Sequence, residues 1–176
     1  MMKQANVIYT QCYHSPCGDL LLGSLGDRLC LCNWMVEKHP GRVDRRLQSM
    51  LDARYEKGGS EVLSEAARQL DEYFGGGRRQ FDVPLLFAGT QFQRKVWHAL
   101  LEIPYGETIS YGEMACSLGV PQSVRAVANA NGANAISIFA PCHRVIGSKG
   151  MLTGYGGGLD AKRYLLDLEK QLTQLD

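Results

Sequence analysis

The strongest constraint on the fold is a largely apolar run at residues 136–140 that ends at Pro141. A short run of this kind predicts a buried strand, and proline stops the strand because it has no N–H to give a neighbouring strand. Cys142 and His143 are therefore expected at the end of a buried strand. A free thiol reacts as the thiolate, which a nearby imidazole commonly generates. The alternative is that Cys142 is a small buried apolar residue, the usual fate of an unpaired cysteine.

Size and composition indicate a globular protein of the cytoplasm. The chain has 176 residues, enough for one large domain or two small ones. It is 45% hydrophobic and 21% charged, values typical of soluble proteins. No apolar stretch approaches the ~20 residues of a membrane span, and the N-terminus lacks the layout of a signal peptide. The six cysteines are therefore expected to be reduced.

The first half of the chain reads as an α/β domain. Strands are predicted at 6–13, 19–24 and 28–35, because turn sequences separate them. Apolar residues at helical spacing predict helices over 41–52 and 61–74. Residues 80–84 are predicted to form a short edge strand, and 84–90 a linker. We expect an N-terminal domain over 1–88 and a C-terminal domain over 89–176.

Five potential metal ligands are concentrated in the predicted strands. They are Cys12, His14, Cys17, Cys30 and Cys32. Their spacing fits no standard zinc pattern, which needs paired Cys-x-x-Cys or His-x-x-x-His elements. Cys30 and Cys32 alternate along a strand, so both should face the core. A metal site and incidental cysteines both remain open, and we expect no metal.

The second half reads as mainly helical. Thr90 with Gln93, and Ser110 with Glu113, form capping boxes that open two helices. Pro121 suits the first turn of a third helix that runs to about residue 131. Two short helices joined by a turn of three to four residues with a glycine are typical of a helix-turn-helix. An ordinary helical hairpin explains the same pattern.

Charge and small side chains mark the second helix of this pair. Arg125 is followed by Ala126 and Ala128, and small side chains let a helix approach another backbone closely. A net charge of +1 neither requires nor excludes nucleic acid, because local patches attract phosphate.

Two further features complete a possible reactive site. The glycine-rich segment 153–158 can bring backbone N–H groups close to a ligand, although a flexible surface loop explains it as well. The last predicted helix, 160–172, places Glu169 beside its buried stripe. Thiol, imidazole and carboxylate then form a nucleophile, a base and an orienting group. Because adjacent strand side chains point apart, Cys142 and His143 are expected to communicate through water.

Taken together, these motifs resemble the methylated-DNA–protein-cysteine methyltransferases, also called O6-alkylguanine-DNA alkyltransferases. The matching segments are 92–97, 104–108, 110–111, 125–127, 141–145, 155–158 and 162–169. The resemblance is strong over 89–170 and weak over 1–88. It implies a ribonuclease-H-like α/β N-terminal domain and a mainly helical, winged-helix-like C-terminal domain with a helix-turn-helix.

The resemblance implies a role for each matched residue. Cys142 would accept the methyl group, His143 would act as base through water, and Glu169 would hold His143. Asn134 would brace the turn behind the cysteine, and Tyr111 would donate to guanine N3. The substrate-binding set would also include the Gly156 N–H on O6, the carbonyls of Cys142 and Val145 on the exocyclic amine, and Tyr155 and Gly157. DNA would be bound by Gln122, Ser123, Arg125, Ala126 and Ala128, with Arg125 filling the space of the flipped nucleotide.

The implied activity is direct reversal of DNA damage. The methyl group of O6-methylguanine, and of O4-methylthymine, would move irreversibly to Cys142 after nucleotide flipping through the minor groove. A free thiol is only about 3% ionised at neutral pH, and a pKa lower by about two units would raise the reactive fraction roughly twenty-fold. We expect one turnover, no cofactor and a monomer that acts in the cytoplasm with access to the nucleoid, or in a eukaryotic nucleus.

Three other functions compete with this interpretation. A cysteine hydrolase would use Cys142 and His143 but would need an oxyanion hole. A non-catalytic protein that binds alkylated DNA would share the design without an acceptor cysteine. A zinc-dependent regulator would use the N-terminal cysteines.

Overall fold

A four-stranded mixed sheet forms the N-terminal part of the computed structural model, which describes residues 4–175. Strands β1 (Asn6–Ser15), β2 (Gly18–Leu25) and β3 (Arg28–Trp34) form an antiparallel meander. The fourth strand, β4 (Ala53–Lys57), pairs parallel with β1, so the order is β3-β2-β1-β4. The three strands of the meander confirm the sequence-based prediction. The sequence did not predict β4, because its five residues are mostly polar and carry no alternating pattern.

Two helices pack against this sheet, and the sequence predicted both of them. They are α1 (Arg42–Met50) and α2 (Glu61–Phe74), and the Ser60 hydroxyl caps α2 by accepting the N–H of Leu63. Cys30 and Cys32 are buried in β3, which confirms that both face the core.

The predicted edge strand at 80–84 is wrong, because no strand is assigned there in the described part of the chain. Instead, the N–H of Leu29 donates to the carbonyl of Pro84 at 2.8 Å, and the N–H of Leu86 donates to the carbonyl of Leu29 at 2.8 Å. Pro84 has no N–H with which to continue a ladder. The contact is therefore a single bridge between Leu29 and Leu85.

The C-terminal part is mainly helical. Its helices are α3 (Gln91–Leu100), α4 (Tyr111–Ser117), α5 (Val124–Gly132) and α6 (Leu159–Gln174). Two short strands, β5 (Ile109–Ser110) and β6 (Val145–Ile146), pair in parallel. The capping box of Thr90 and Gln93 is present in both directions.

The connection between α4 and α5 differs from the prediction. Helix α5 begins at Val124, so Pro121 lies before the helix, and the connection spans residues 118–123. The N–H of Val120 donates to Ala115 at 2.9 Å and that of Ser123 donates to Val120 at 2.8 Å. These bonds form a turn that includes Pro121, so the helix begins three residues later than Pro121.

The predicted strand at 136–140 is also wrong. Among the described residues, this run has only isolated bridges, and Ile138 has a φ of 73°. The Asn134 side chain accepts the N–H of Ile136 at 3.0 Å and donates to the carbonyl of Ala140 at 2.9 Å. These bonds fold the run into a tight turn. Cys142 therefore begins a 3₁₀ turn, Cys142–Arg144, rather than ending a strand.

The two parts of the chain share one hydrophobic core. The backbone of Cys32 in β3 bonds to residues 135 and 137, with both N–O distances 2.8 Å. Arg46 of α1 donates to the carbonyls of Ala88 at 3.2 Å and Ala133 at 2.6 Å. The division at residue 88 stays a prediction. Within residues 4–175, no helix has the length and apolar character needed to cross a membrane.

Candidate active site

Cys142 lies at the wall of a small cavity between the two parts of the chain. The residue is 5% exposed, and its carbonyl accepts a bond of 3.4 Å from the amide of Asn131. Asn131, Asn134, Ser137 and Tyr155 line the same cavity, whose volume is about 40 Å³. At ~10–15 Å³ for each water, this space suits a few water molecules and is too small for a purine.

His143 is fully buried and is oriented by Glu169. The Nε2 atom of His143 lies 2.6 Å from Oε2 of Glu169. Burial lowers the pKa of His143, although the carboxylate opposes this, so the ring is neutral at pH 7. Because a carboxylate only accepts, Nε2 carries the proton and Nδ1 is the basic nitrogen. Nδ1 is buried and has no hydrogen-bond partner among residues 4–175.

Glu169 accepts hydrogen bonds from several parts of the chain. Arg144 donates from Nε at 2.8 Å and from Nη2 at 3.2 Å, and the N–H of Gly106 donates at 3.2 Å. The hydroxyl of Tyr73, on α2, donates to Oε2 at 2.6 Å. Burial alone would raise the pKa of Glu169, but bonds from His143 and the charge of Arg144 outweigh it. The pKa of Glu169 is therefore well below its usual range, and the carboxylate stays ionised.

The thiol of Cys142 is not activated in the way expected from the sequence. Burial raises its pKa, and this effect exceeds the lowering by Asn134, Ser137 and the charge of Lys162. The lower pKa that would enlarge the thiolate fraction is therefore not present in this conformation. A thiol in this protonated state would need a base before it could act as a nucleophile.

Lys162 and Tyr111 form a second polar group near the thiol. The ammonium of buried Lys162 donates to the carbonyls of Val145 at 2.7 Å and Thr153 at 3.0 Å, and lies 5.9 Å from the centre of the Tyr111 ring. Burial raises the pKa of Tyr111, and the charge of a Cys142 thiolate would raise it further. The hydroxyl of Tyr111 is therefore protonated at neutral pH and able to donate.

The glycine-rich segment packs against the N-terminal part of the chain. The rings of Tyr155 and Trp34 meet edge to face, with centroids 5.8 Å apart. A Cβ on Gly157 would lie 2.5 Å from the Trp34 indole, whereas one on Gly156 would lie 3.8 Å away. Only Gly157 therefore needs to be glycine for this contact. Gly156 lines the Cys142 cavity.

The predicted DNA-binding residues lie on the outer side of α5 and the turn before it. Gln122, Arg125 and Ala126 are exposed, and Ser123 and Ala128 are half-buried. The opposite end of α5 carries Asn131, which contacts Cys142. One helix thus connects the exposed arginine to the thiol cavity. The Val145 carbonyl accepts from Lys162 and keeps a second lone pair free to accept.

Sequence reasoning missed four residues of this site: Trp34, Tyr73, Asn131 and Lys162. Asn131 stood at the predicted end of a helix, and its contact with the cysteine carries no local signal. Tyr73 and Trp34 look like ordinary apolar residues of a helix and a strand. The signal that could have found Lys162 is its position on the inner face of α6, three residues before Leu165.

Comparison with known proteins identifies a family for both parts of the chain. Residues 8–87 match the family model for the ribonuclease-like domain of 6-O-methylguanine DNA methyltransferase, and residues 91–171 match the model for its DNA binding domain. A methylated-DNA–protein-cysteine methyltransferase of Methanosarcina acetivorans is 46% identical over 92% of this chain and 98% of its own length. One of Mycobacterium leprae is 44% identical over 93% of each chain.

Solved structures have a similar fold. The crystal structure of Mycobacterium tuberculosis OGT in complex with DNA has a TM-score of 0.78 and 44% identity, covering 94% of each chain. A methyltransferase of Pyrococcus kodakaraensis, 22% identical with a TM-score of 0.65 over 92% of this chain and 98% of its own, shares the fold. The matched models and relatives show that this chain belongs to the 6-O-methylguanine DNA methyltransferase family.

Proposed function

We propose that this chain repairs alkylated DNA by direct reversal, moving the methyl group of O6-methylguanine in a duplex to the sulfur of Cys142. The observation that carries the proposal is the buried series of Cys142, His143 and Glu169 beside a cavity, in a chain 44% identical to a relative solved with DNA. The methyl carbon is saturated, so the reaction needs a thiolate and a protonated leaving group rather than an oxyanion hole.

The proposed transfer is a displacement in which sulfur bonds to the methyl carbon while the bond from carbon to O6 breaks. The electron pair of that bond returns to the purine, and a proton from the Tyr111 hydroxyl reaches N3. The thiol proton passes through a water molecule to Nδ1 of His143, and then restores the hydroxyl. The raised pKa of Cys142 supports this route, because a thiol that is protonated at rest needs a base.

Glu169 has a positioning role in this scheme. It holds Nε2 of His143 at 2.6 Å and thereby keeps Nδ1 unprotonated. Asn134 braces the turn before the cysteine through its two backbone bonds. The Gly156 N–H, with Tyr155 and Gly157 beside it, would donate to O6. The carbonyls of Cys142 and Val145 would accept from the exocyclic amine.

DNA contact is proposed for the exposed side of α5. Insertion of Arg125 into the duplex through the minor groove would replace the extruded nucleotide, and the small side chains of Ala126 and Ala128 permit close approach. Gln122 and Ser123 would contact the backbone. The cavity of about 40 Å³ must widen to accept the base, so extrusion is coupled to movement of its wall, including the segment with Gly156.

The product is a thioether, which is a poor leaving group. We therefore propose one turnover per molecule, without a cofactor, by a monomer. O4-methylthymine offers the same methyl–oxygen bond and is included as a substrate. The proposed place of action is the cytoplasm with access to the nucleoid, or the nucleus of a eukaryote, because the substrate is chromosomal DNA.

Mass spectrometry after incubation with an O6-methylguanine duplex tests the proposal. We expect a single added methyl group on Cys142 and none on a Cys142→Ala variant. Cys116→Ser is the matched control, because Cys116 is an exposed thiol away from the cavity, and it should gain one methyl group. A Cys142→Ala protein that still demethylates DNA would refute the assignment. Binding without mass gain would favour a damage-binding protein, and multiple turnovers on an ester would favour a hydrolase.

A further inference from the structure

We infer that the β1–β2 hairpin holds a binding site for a borderline-soft divalent cation, Zn²⁺ being the best match, with Cys12, His14 and Asp19 as ligands. One donor atom from each of the three lies within 4.8 Å of the other two. Nδ1 of His14 is 2.8 Å from Oδ1 of Asp19. The three side chains are exposed, so a cation can reach them from solvent.

The strand register explains why these donors converge. Cys12 and His14 are two residues apart on β1, so their side chains project from the same face of the sheet. His14 lies directly opposite Asp19 on antiparallel β2, so these two side chains also share that face. The donors are therefore brought together by paired backbone before any cation arrives, which reduces the ordering needed on binding.

A fourth donor stands beside the three. The N–H of Met35, the residue after β3, donates to the carbonyl of Asp19 at 2.9 Å. Met35 therefore lies beside Asp19 on the side of β2 opposite His14. The sulfur atoms of Met35 and Cys12 are 3.5 Å apart. A thioether is a soft donor, so Met35 or a water molecule can complete a four-coordinate site.

The donor set matches the chemistry of Zn²⁺. A thiolate, an imidazole nitrogen and a carboxylate oxygen are its usual protein ligands. On binding, the Cys12 thiol releases its proton, and thiolate and carboxylate together balance the two positive charges. Mg²⁺ and Ca²⁺ prefer all-oxygen sites, so this set disfavours them. The spacing of the three residues follows the hairpin register rather than any paired-ligand motif, which is why the sequence alone left the question open.

Cobalt binding tests the site, because a thiolate ligand gives Co²⁺ a near-ultraviolet charge-transfer band. We expect one equivalent of Co²⁺ to saturate this band in the wild-type protein, and Zn²⁺ to remove it by displacement. Cys12→Ser should abolish the band. His14→Ala and Asp19→Ala should weaken binding by more than about 100-fold, since even changes outside the ligand shell cost ~10–100-fold.

Two matched variants separate this site from the other thiols. Cys116→Ser removes an exposed cysteine of α4, and Cys142→Ala removes the cavity thiol; both should keep the band. Transfer of one methyl group by Cys12→Ser would show that this variant is folded. A wild-type protein without the band, a band that survives Cys12→Ser, or a band lost in Cys142→Ala would overturn the inference.

Discussion

Replacing Gly157 by alanine should slow methyl transfer because the new methyl group has no room. A Cβ at this position would lie 2.5, 2.6 and 2.7 Å from three atoms of the Trp34 indole. Ordinary van der Waals contact begins at about 3.4 Å, so indole and backbone must separate by about 1 Å. The indole is buried in the core shared by both parts of the chain. The glycine-rich segment is therefore the part that moves.

The size of the effect follows from that displacement. Forcing extra atoms into a packed site costs about 1–3 kcal/mol. A shift of about 1 Å in a substrate-positioning group can cost about 100-fold in rate. The shift carries Gly156, whose N–H we assign to O6 of the substrate. We expect the single-turnover rate of Gly157→Ala to fall by about 10–100-fold, or about 1.4–2.7 kcal/mol of transition-state stabilisation.

The assay is quenched single-turnover transfer from an O6-methylguanine duplex, with Gly156→Ala as the control. A Cβ on Gly156 meets the indole at 3.8 Å, which is ordinary contact, so this variant should stay within about threefold of wild type. In a Trp34→Ala background, Gly157→Ala should cost much less, because the clash is gone. A wild-type rate for Gly157→Ala, or the same loss in both backgrounds, would refute the reasoning.

Three further predictions concern the buried network and the DNA helix. Tyr73→Phe removes the hydroxyl that donates to Glu169 at 2.6 Å, so urea denaturation should show a loss of about 1.5–3 kcal/mol; an unchanged midpoint would contradict this. The pKa of His143 is lowered from 6.5 and that of Glu169 from 4.5. The neutral imidazole therefore stabilises the fold fully above about pH 6.5, and the ionised carboxylate does so above about pH 4.5. Stability should therefore fall as the pH drops below about 6.5, and Glu169→Gln should lack the further loss below about 4.5. Arg125→Ala should slow transfer from duplex DNA far more than from the free base, and equal slowing would argue against insertion.

Sequence reasoning succeeded where structure is determined locally. The amphipathic spacing of α2 and the Thr90 capping box predicted helices that the structure contains. The strand prediction for 136–140 was wrong because the conformation of this run depends on a side chain outside it. The Asn134 side chain takes the hydrogen bonds that a strand partner would make. A β-branched residue such as Ile138 at a φ of 73° is also contrary to local preference.

The candidate site divides in the same way. The sequence predicted Cys142 and His143 because they lie in a recognisable motif, and Glu169 because it borders the apolar stripe of a helix. The contact of Tyr73 with Glu169 joins residues 96 positions apart, and no local pattern encodes it. The raised pKa of the Cys142 thiol likewise results from burial, and the sequence alone carries no measure of that burial.

The backbone of Cys32 bonds to the turn before Cys142, so the N-terminal sheet determines the conformation of the segment that carries the thiol. Ile138 holds an unfavourable conformation, and strand β3 fixes the residues on either side of Ile136 through two bonds of 2.8 Å. Local preference would release that turn if the strand were absent. A fragment that begins after residue 88 could retain its helices and still present its sulfur in the wrong place, so the halves of this chain are not interchangeable modules.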